Sequence, residues 1–210
     1  KKVKIISDSQ KKNREFIALA KKNARYSLEK LKLQILSEIQ NDYNEIGAYI
    51  QEKLSLRKFP HRVECFDISH IQGTNTVASM VVFENGQPKK SDYRKFKIKS
   101  TEGKPDDFKS MKEVVSRRYR DKDMPDLIII DGGKGQLSSV MEQFEEMEIK
   151  NQDIVSLAKR LEEVFKPNQS KPVIFPVSSN ALYFFQRIRD EAHRFAITYH
   201  RKLRSKSSIK

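Results

Sequence analysis

The sequence predicts a mixed α/β fold, in which three antiparallel strands are joined by parallel strands and flanked by helices, with a helical segment in front. Three observations carry this. Two apolar runs, 63–69 and 127–131, have the composition of core strands. Asn85-Gly86 lies between strand-like runs and signals a tight hairpin. The later strands are separated by stretches with helical spacing of apolar residues, which calls for crossover connections and a parallel part of the sheet. With 210 residues, 37% of them hydrophobic and 33% charged, the chain can bury one sizeable core and carry an appendage.

Taken in order, residues 1–10 mix lysines with Val3, Ile5 and Ile6, as a strand of a preceding domain would. Over 11–54, Phe16, Leu19, Ala20, Leu28, Leu31, Ile35, Leu36 and Ile39 recur by threes and fours, the spacing of a helix. Asn41-Asp42 is expected to break it, with a second short helix through Ile46 and Ile50, and Pro60 ends the region. Strands are expected at 63–69, 77–83 and 90–98 as an antiparallel meander with the first strand central. A helix over 106–119 carries Phe108, Met111, Val115 and Tyr119 on one face, and Asp106 and Asp107 suit its positive first turn. The strand 127–131, a helix over 136–146 and a strand over 154–158 follow. A small hairpin is expected from 161–165 and 173–175, and Ser178-Ser179-Asn180 caps a long helix over 181–203. The organisation expected is a helical linker over 1–60, an α/β domain over 61–204 and a basic tail over 205–210.

The net charge is +14, with an isoelectric point near 9.7, and this points to a polyanionic partner, most simply nucleic acid. Residues 1–60 carry 14 basic and 7 acidic side chains, whereas 61–131 carry 14 and 12, so the excess lies in the two ends. That distribution fits a partner better than general solubility. A lone cysteine, Cys65, excludes an internal disulfide and a cysteine-rich zinc site. No apolar run approaches the roughly 20 residues of a membrane span, and the lysine-rich start has no apolar signal core. The cytoplasm is the expected compartment.

Asp67 stands inside the apolar run Phe66-Asp67-Ile68-Ser69-His70, and Asp131 ends the run Leu127-Ile128-Ile129-Ile130. Desolvating a carboxylate costs several kcal/mol unless it is paired or binds a cation. Taken singly, a salt bridge to His70 would account for Asp67 and a helix N-cap for Asp131. A right-handed crossover that lays 127–131 parallel to 63–69 would bring the two side by side. Adjacent carboxylates repel, and their hard oxygens suit Mg²⁺ or Mn²⁺. Gly132-Gly133-Lys134-Gly135 lacks the spacing of a phosphate-binding loop, which argues against a nucleotide-hydrolysing enzyme. It is either a tight turn or a way to bring backbone and Lys134 close to a phosphate. On the last helix Phe184, Ile188, Ala192, Phe195 and Tyr199 form the core stripe, and Arg189, His193 and His200 share one border. A border histidine facing a carboxylate rim is a candidate third ligand or general acid/base. Arg187, Arg194, Arg201, Lys202 and Arg204 add positive charge suited to phosphates, with Lys134 and Arg189. The chemistry expected is metal-assisted hydrolysis of a DNA phosphodiester. The alternative is a non-catalytic nucleic-acid-binding module whose aspartates are structural.

Three ordered motifs resemble one family. Phe-Asp-Ile-Ser-His-Ile-Gln-Gly at 66–73, Ile-Asp-Gly-Gly-Lys-Gly-Gln at 130–136 and Arg-Asp-Glu-Ala-His-Arg-Phe at 189–195 are similar to UvrC, the nuclease subunit of the bacterial UvrABC nucleotide-excision-repair system. The resemblance covers about 61–204 and implies a ribonuclease H-like endonuclease domain, with 11–60 like the helical segment ahead of it. It implies Asp67, Asp131 and His193 as a catalytic triad holding a divalent metal, Mg²⁺ or Mn²⁺, for incision on the 5′ side of a lesion. It also implies a functional carboxylate within Asp106-Asp107; Asp107 is favoured, since Asp106 is as good a helix-start residue. Histidine as third ligand departs from the all-carboxylate ribonuclease H pattern and leaves one or two metals open. The implied partners are double-stranded DNA containing a lesion and a UvrB–DNA complex. The family's GIY-YIG nuclease, UvrB-binding module and helix-hairpin-helix pair have no counterpart in these residues, so a fragment of a longer protein is expected.

Overall fold

The computed structural model describes residues 11–71, 75–100, 106–121, 123–158 and 163–207, with the side chains at 11–13, 15, 32–41, 70–71, 75 and 199–207 outside that description. The strand expected within 1–10 lies outside the described residues. The chain divides into two compact units, Lys1–Asp42 and Tyr43–Lys210. The first is helical throughout its described part. A single helix, α1 (Lys11–Leu54), runs without the expected break at Asn41-Asp42. Asn and Asp are weak helix formers, but each costs under about 0.7 kcal/mol in a helix interior, against ~3 for proline. In the second unit Tyr43, Ile50 and Leu54, from the last turns of α1, are buried in the core.

Seven strands form one sheet among the described residues: β1 (Arg62–Ile71), β2 (Asn75–Glu84), β3 (Gln87–Pro88), β4 (Arg94–Lys97), β5 (Leu127–Asp131), β6 (Ile154–Ala158) and β7 (Glu163–Phe165). The order is β3-β2-β1-β5-β6-β7, and β4 also pairs with β2. β1 is central, antiparallel to β2 and parallel to β5, which is the mixed sheet the sequence predicts. The hairpin after β2 turns at Asn85 and Gly86, with φ of 48° and 74°, the left-handed pair of a type I′ turn. The third strand expected over 90–98 is shortened to β4, with a 3-10 turn at Lys90–Asp92 ahead of it and the short β3 before that turn. Pro88 has no N–H for a continuing ladder, and Asp92 is drawn to Arg62 by an ion pair of 2.7 Å. Residues 161 and 162 of the expected 161–165/173–175 hairpin lie outside the described residues, and among the rest Val164 bridges Val173. β7 instead joins the main sheet beside β6.

Side chains alternate across β1, and its two faces meet different layers. Phe66 meets Tyr119 at the end of α2 (Asp107–Arg118), and Tyr119 meets Phe144 of α3 (Lys134–Glu146), edge-on at 6.0 and 5.9 Å. On the other face α4 (Asn180–Ser207) packs, with Phe184 against Phe83, the residue opposite Val63. Leu127 to Ile130 of β5 are fully buried, each contributing about 1.5–3 kcal/mol of hydrophobic burial.

Glu64 shares the Phe66 face and is fully buried. Arg118 donates to it at 3.0 and 2.7 Å, Tyr119 Oη at 3.0 Å, and Arg62 at 3.2 and 3.0 Å. Burial first, and then the Glu64 charge, pushes the Tyr119 phenol well above its usual range.

Candidate active site

The parallel ladder between β1 and β5 ends with Phe66 opposite Ile130. Asp67 and Asp131 are the next residues on the two strands, which run about 4.8 Å apart. Both are buried, at 1% and 4% exposure. The cap of α3 is Gly133, with no side-chain hydrogen bond, so Asp131 is not held there as a helix cap.

By alternation Asp67 faces the α4 layer. Its cross-strand partner Ser79 donates from Oγ to the Ala192 carbonyl of α4 at 3.0 Å, which fixes the helix over this stretch of sheet. One residue further along α4, His193 brings Nδ1 to 3.8 Å from Asp67 Oδ2. Ser69 Oγ donates to the same oxygen at 2.9 Å. The imidazole is exposed at the rim whereas the carboxylate is enclosed. Cys65, two residues before Asp67 on the same face, reports the local field. Burial first, then the charges of Asp131 and Asp67, push its thiol well up, and the Arg189 guanidinium opposes them.

A further pair of acids stands at the start of α2. Asp106 is the cap of α2, its Oδ1 accepting from the Lys109 amide at 3.0 Å. Asp107 is left to turn elsewhere, and its Oδ2 accepts from Gln136 Nε2 of α3 at 3.4 Å. The Gln136 side chain lies against Gly132, the residue after Asp131; a β-carbon there would stand 1.4 Å from Gln136 Oε1. Gln136 thus bridges Asp107 to the turn that follows Asp131.

The cations expected to meet phosphates divide. Arg189 lies one turn before His193 and donates to Asp190 at 3.0 and 2.9 Å. Arg194 is exposed and paired with Glu191 at 2.6 Å. Arg187 stacks over Phe83 at 5.9 Å, away from the carboxylates. Lys134 donates to the Ser170 carbonyl and covers the Phe165 ring at 4.6 Å, so its ammonium is turned toward the 163–171 segment. Arg201, Lys202 and Arg204 belong to α4, and their side chains, like those of His70 and His200, lie outside the described residues.

Sequence reasoning missed Ser69 and Gln136. Ser69 carries a signal, since i and i+2 share a strand face. Gln136 carries none, because its partner lies 29 residues away.

Among the described residues, no three His, Cys, Asp or Glu side chains are drawn together as a ready metal cage. The donors available are two buried carboxylates on neighbouring strands and one imidazole at their rim. Such an oxygen-rich, incomplete set fits Mg²⁺ or Mn²⁺, which retain several waters and take only one or two protein carboxylates.

Comparison with known proteins identifies the family. The sequence pattern described as the UvrC RNAse H endonuclease domain matches residues 51–197. A UvrABC system protein C from Christiangramia forsetii is 46% identical over 99% of this chain and 36% of its own length. Another, from Methanosarcina acetivorans, is 49% identical over 100% of this chain and 39% of its own length. The chain thus spans somewhat over a third of the curated relatives it matches. Among solved structures, endonuclease V of Ciona intestinalis is a remote likeness, at 14% identity and a TM-score of 0.32 over 75% of this chain and 69% of that one. With the family pattern matched over most of its length, the chain belongs to the UvrC RNase H endonuclease domain family.

Proposed function

We propose that this chain is a metal-dependent DNA endonuclease that makes the 5′-side incision at damaged DNA in nucleotide excision repair. The observation that carries the reading is the end of the β1–β5 ladder, with Asp67 and Asp131 next in line and His193 Nδ1 3.8 Å from Asp67. The relatives' shared name, UvrABC system protein C, supports the repair role and a UvrB–DNA complex carrying a lesion as partner. Residues 61–204 are the nuclease domain in this reading, 1–60 a helical segment before it and 205–210 a basic tail. The cytoplasm is its compartment in this reading; no helix among the described residues is long and apolar enough to cross a membrane.

Asp67, Asp131 and His193 would hold Mg²⁺ or Mn²⁺. The chemistry such an ion supplies when bound is a water made nucleophilic near neutral pH and neutralised charge on the phosphoryl oxygens. Ser69 Oγ donates to Oδ2 of Asp67 and so steadies that carboxylate. His193, at the exposed rim, serves as third ligand or moves a proton. Asp107, steadied by Gln136, adds a carboxylate beside the Asp131 turn. Arg189 and Arg194 lie on the helix that carries His193 and grip flanking phosphates, with Lys134, Arg187, Arg201, Lys202 and Arg204 extending the positive surface.

The test is nicking of damaged duplex by the chain with Mn²⁺ and the UvrB partner supplied. Asp67→Ala abolishes nicking and leaves DNA affinity within a few-fold. A variant that nicks at the wild-type rate returns the chain to a non-catalytic nucleic-acid-binding module.

A further inference from the structure

The edge of the sheet beyond Asp67 carries a run of cations that the incision chemistry does not use. β4 reads Arg94-Lys95-Phe96-Lys97. Lys95 is opposite Ser79 on β2, and Ser79 is opposite Asp67 on β1. Cross-strand partners share a face, so Lys95 stands on the Asp67 face of the sheet, two strands away at about 10 Å. Lys97 repeats the relation one step along: it is opposite Val77, which is opposite Ser69. The two lysines are therefore successive same-face positions, about 7 Å apart. They lie on the opposite side of Asp67 from Asp131, since β1 separates β2 from β5.

Lysines on an edge strand commonly guard against strand-to-strand aggregation, and that use needs only a solvated side chain. Lys95 is held differently. Its ammonium sits 4.1 Å from the centre of the Phe195 ring. Phe195 is two residues after His193 on α4 and is backed edge-on by Tyr93 at 5.1 Å. Tyr93 Oη in turn donates to Glu191 at 3.1 Å. A ring face attracts an ammonium and restricts where it sits. The lysine is tied in this way to the helix that supplies the rim histidine.

We propose that Lys95 and Lys97 form a backbone track, gripping phosphates of the DNA strand on the β4 side of the incision site. This inference rests on the nuclease reading and adds to it the direction in which the bound strand leaves the carboxylates.

The experiment measures duplex affinity by fluorescence anisotropy in EDTA across a salt series, and nicking of damaged duplex with Mn²⁺ and the UvrB partner supplied, at saturating DNA. Each phosphate contact contributes about 0.9 to the slope of log affinity against log salt. Lys95→Gln with Lys97→Gln should flatten that slope by about 1.8, so that between about 50 and 200 mM salt the variant loses about tenfold less affinity than wild type. Its nicking rate at saturation should stay within twofold while KM rises. Lys95→Arg with Lys97→Arg should restore the slope, and Lys150→Gln, at an exposed position after α3, should leave it unchanged. A wild-type slope in the double glutamine variant, or an equal loss in Lys150→Gln, overturns the track. Nicking by wild type together with that unchanged slope overturns the track alone, whereas no nicking by wild type overturns the nuclease reading first.

Discussion

Asp67 and Asp131 stand at the same level of the sheet, each the residue immediately after the last pair of the β1–β5 ladder. Two enclosed carboxylates so placed bind a divalent ion more readily than they tolerate each other. Mn²⁺ should therefore raise the melting temperature of the chain. At a hundred times its dissociation constant the gain is about 2.7 kcal/mol, or about 5–10 °C for a domain of this size. Asp131→Asn should remain folded and lose that rise, as scanning calorimetry with and without Mn²⁺ would read. An undiminished rise in the variant would remove Asp131 from the ligand set.

Gly132→Ala probes the bridge from Asp131 to Asp107. The new methyl would occupy the place of Gln136 Oε1, the end of a flexible side chain that can swing away. Stability should change by less than about 1 kcal/mol, while Asp107 loses the donor at 3.4 Å. Displacing a positioned group by about an ångström can cost on the order of a hundredfold in rate. A drop of tenfold or more in nicking at an unchanged melting temperature is expected, and equal loss of both would mean the glycine serves folding alone.

Glu64→Ala should be the most damaging single change in the sheet. It takes the acceptor from Arg118 and the Tyr119 hydroxyl and one of two acidic partners from Arg62, around a buried gap. Breaking a buried pair by removing one partner costs about 3–5 kcal/mol. Urea denaturation measures this directly, and a loss below 1 kcal/mol would show the network to be incidental.

Glu113 supplies a pH dependence. Burial alone would raise its pKa, but hydrogen bonds from the Lys99 and Ser100 amides at 2.9 and 2.8 Å, with Arg117, outweigh it and hold the group below its usual value. A folded value below the unfolded one gives stability that is complete above the unfolded pKa, about 4.3, and is lost as pH falls through the folded value. Glu113→Gln should be less stable at pH 7 and show a flatter decline below about pH 4.3. Parallel curves for the two proteins in urea at several pH values would refute this.

The parts of this fold that could be read in the sequence were those set by local pattern. Ile128, Ile129 and Ile130 announce a strand covered on both sides, Asn85-Gly86 announces its turn, and the connection rules bring Asp131 beside Asp67. What escaped depends on distant partners. Glu64 is three residues from Asp67 and as deeply buried, yet its meaning lies in Arg118 and Tyr119, more than fifty positions on. Asn41-Asp42 was expected to break α1 on propensity, a preference too weak to end a helix by itself. Lys134 was placed near phosphate by its neighbours in the chain, while its ammonium reaches the Ser170 carbonyl.

β1 carries Glu64 toward α2 and Asp67 toward α4, two acids of opposite purpose on opposite sides of one ribbon. Insertion or deletion of a single residue between Arg62 and Asp67 would shift the register by one and exchange the faces of whatever follows. Either Glu64 would lose its guanidinium partners or Asp67 would turn from His193 toward the α2 layer. Lineages of this domain should therefore keep the spacing from Glu64 to Asp67 constant.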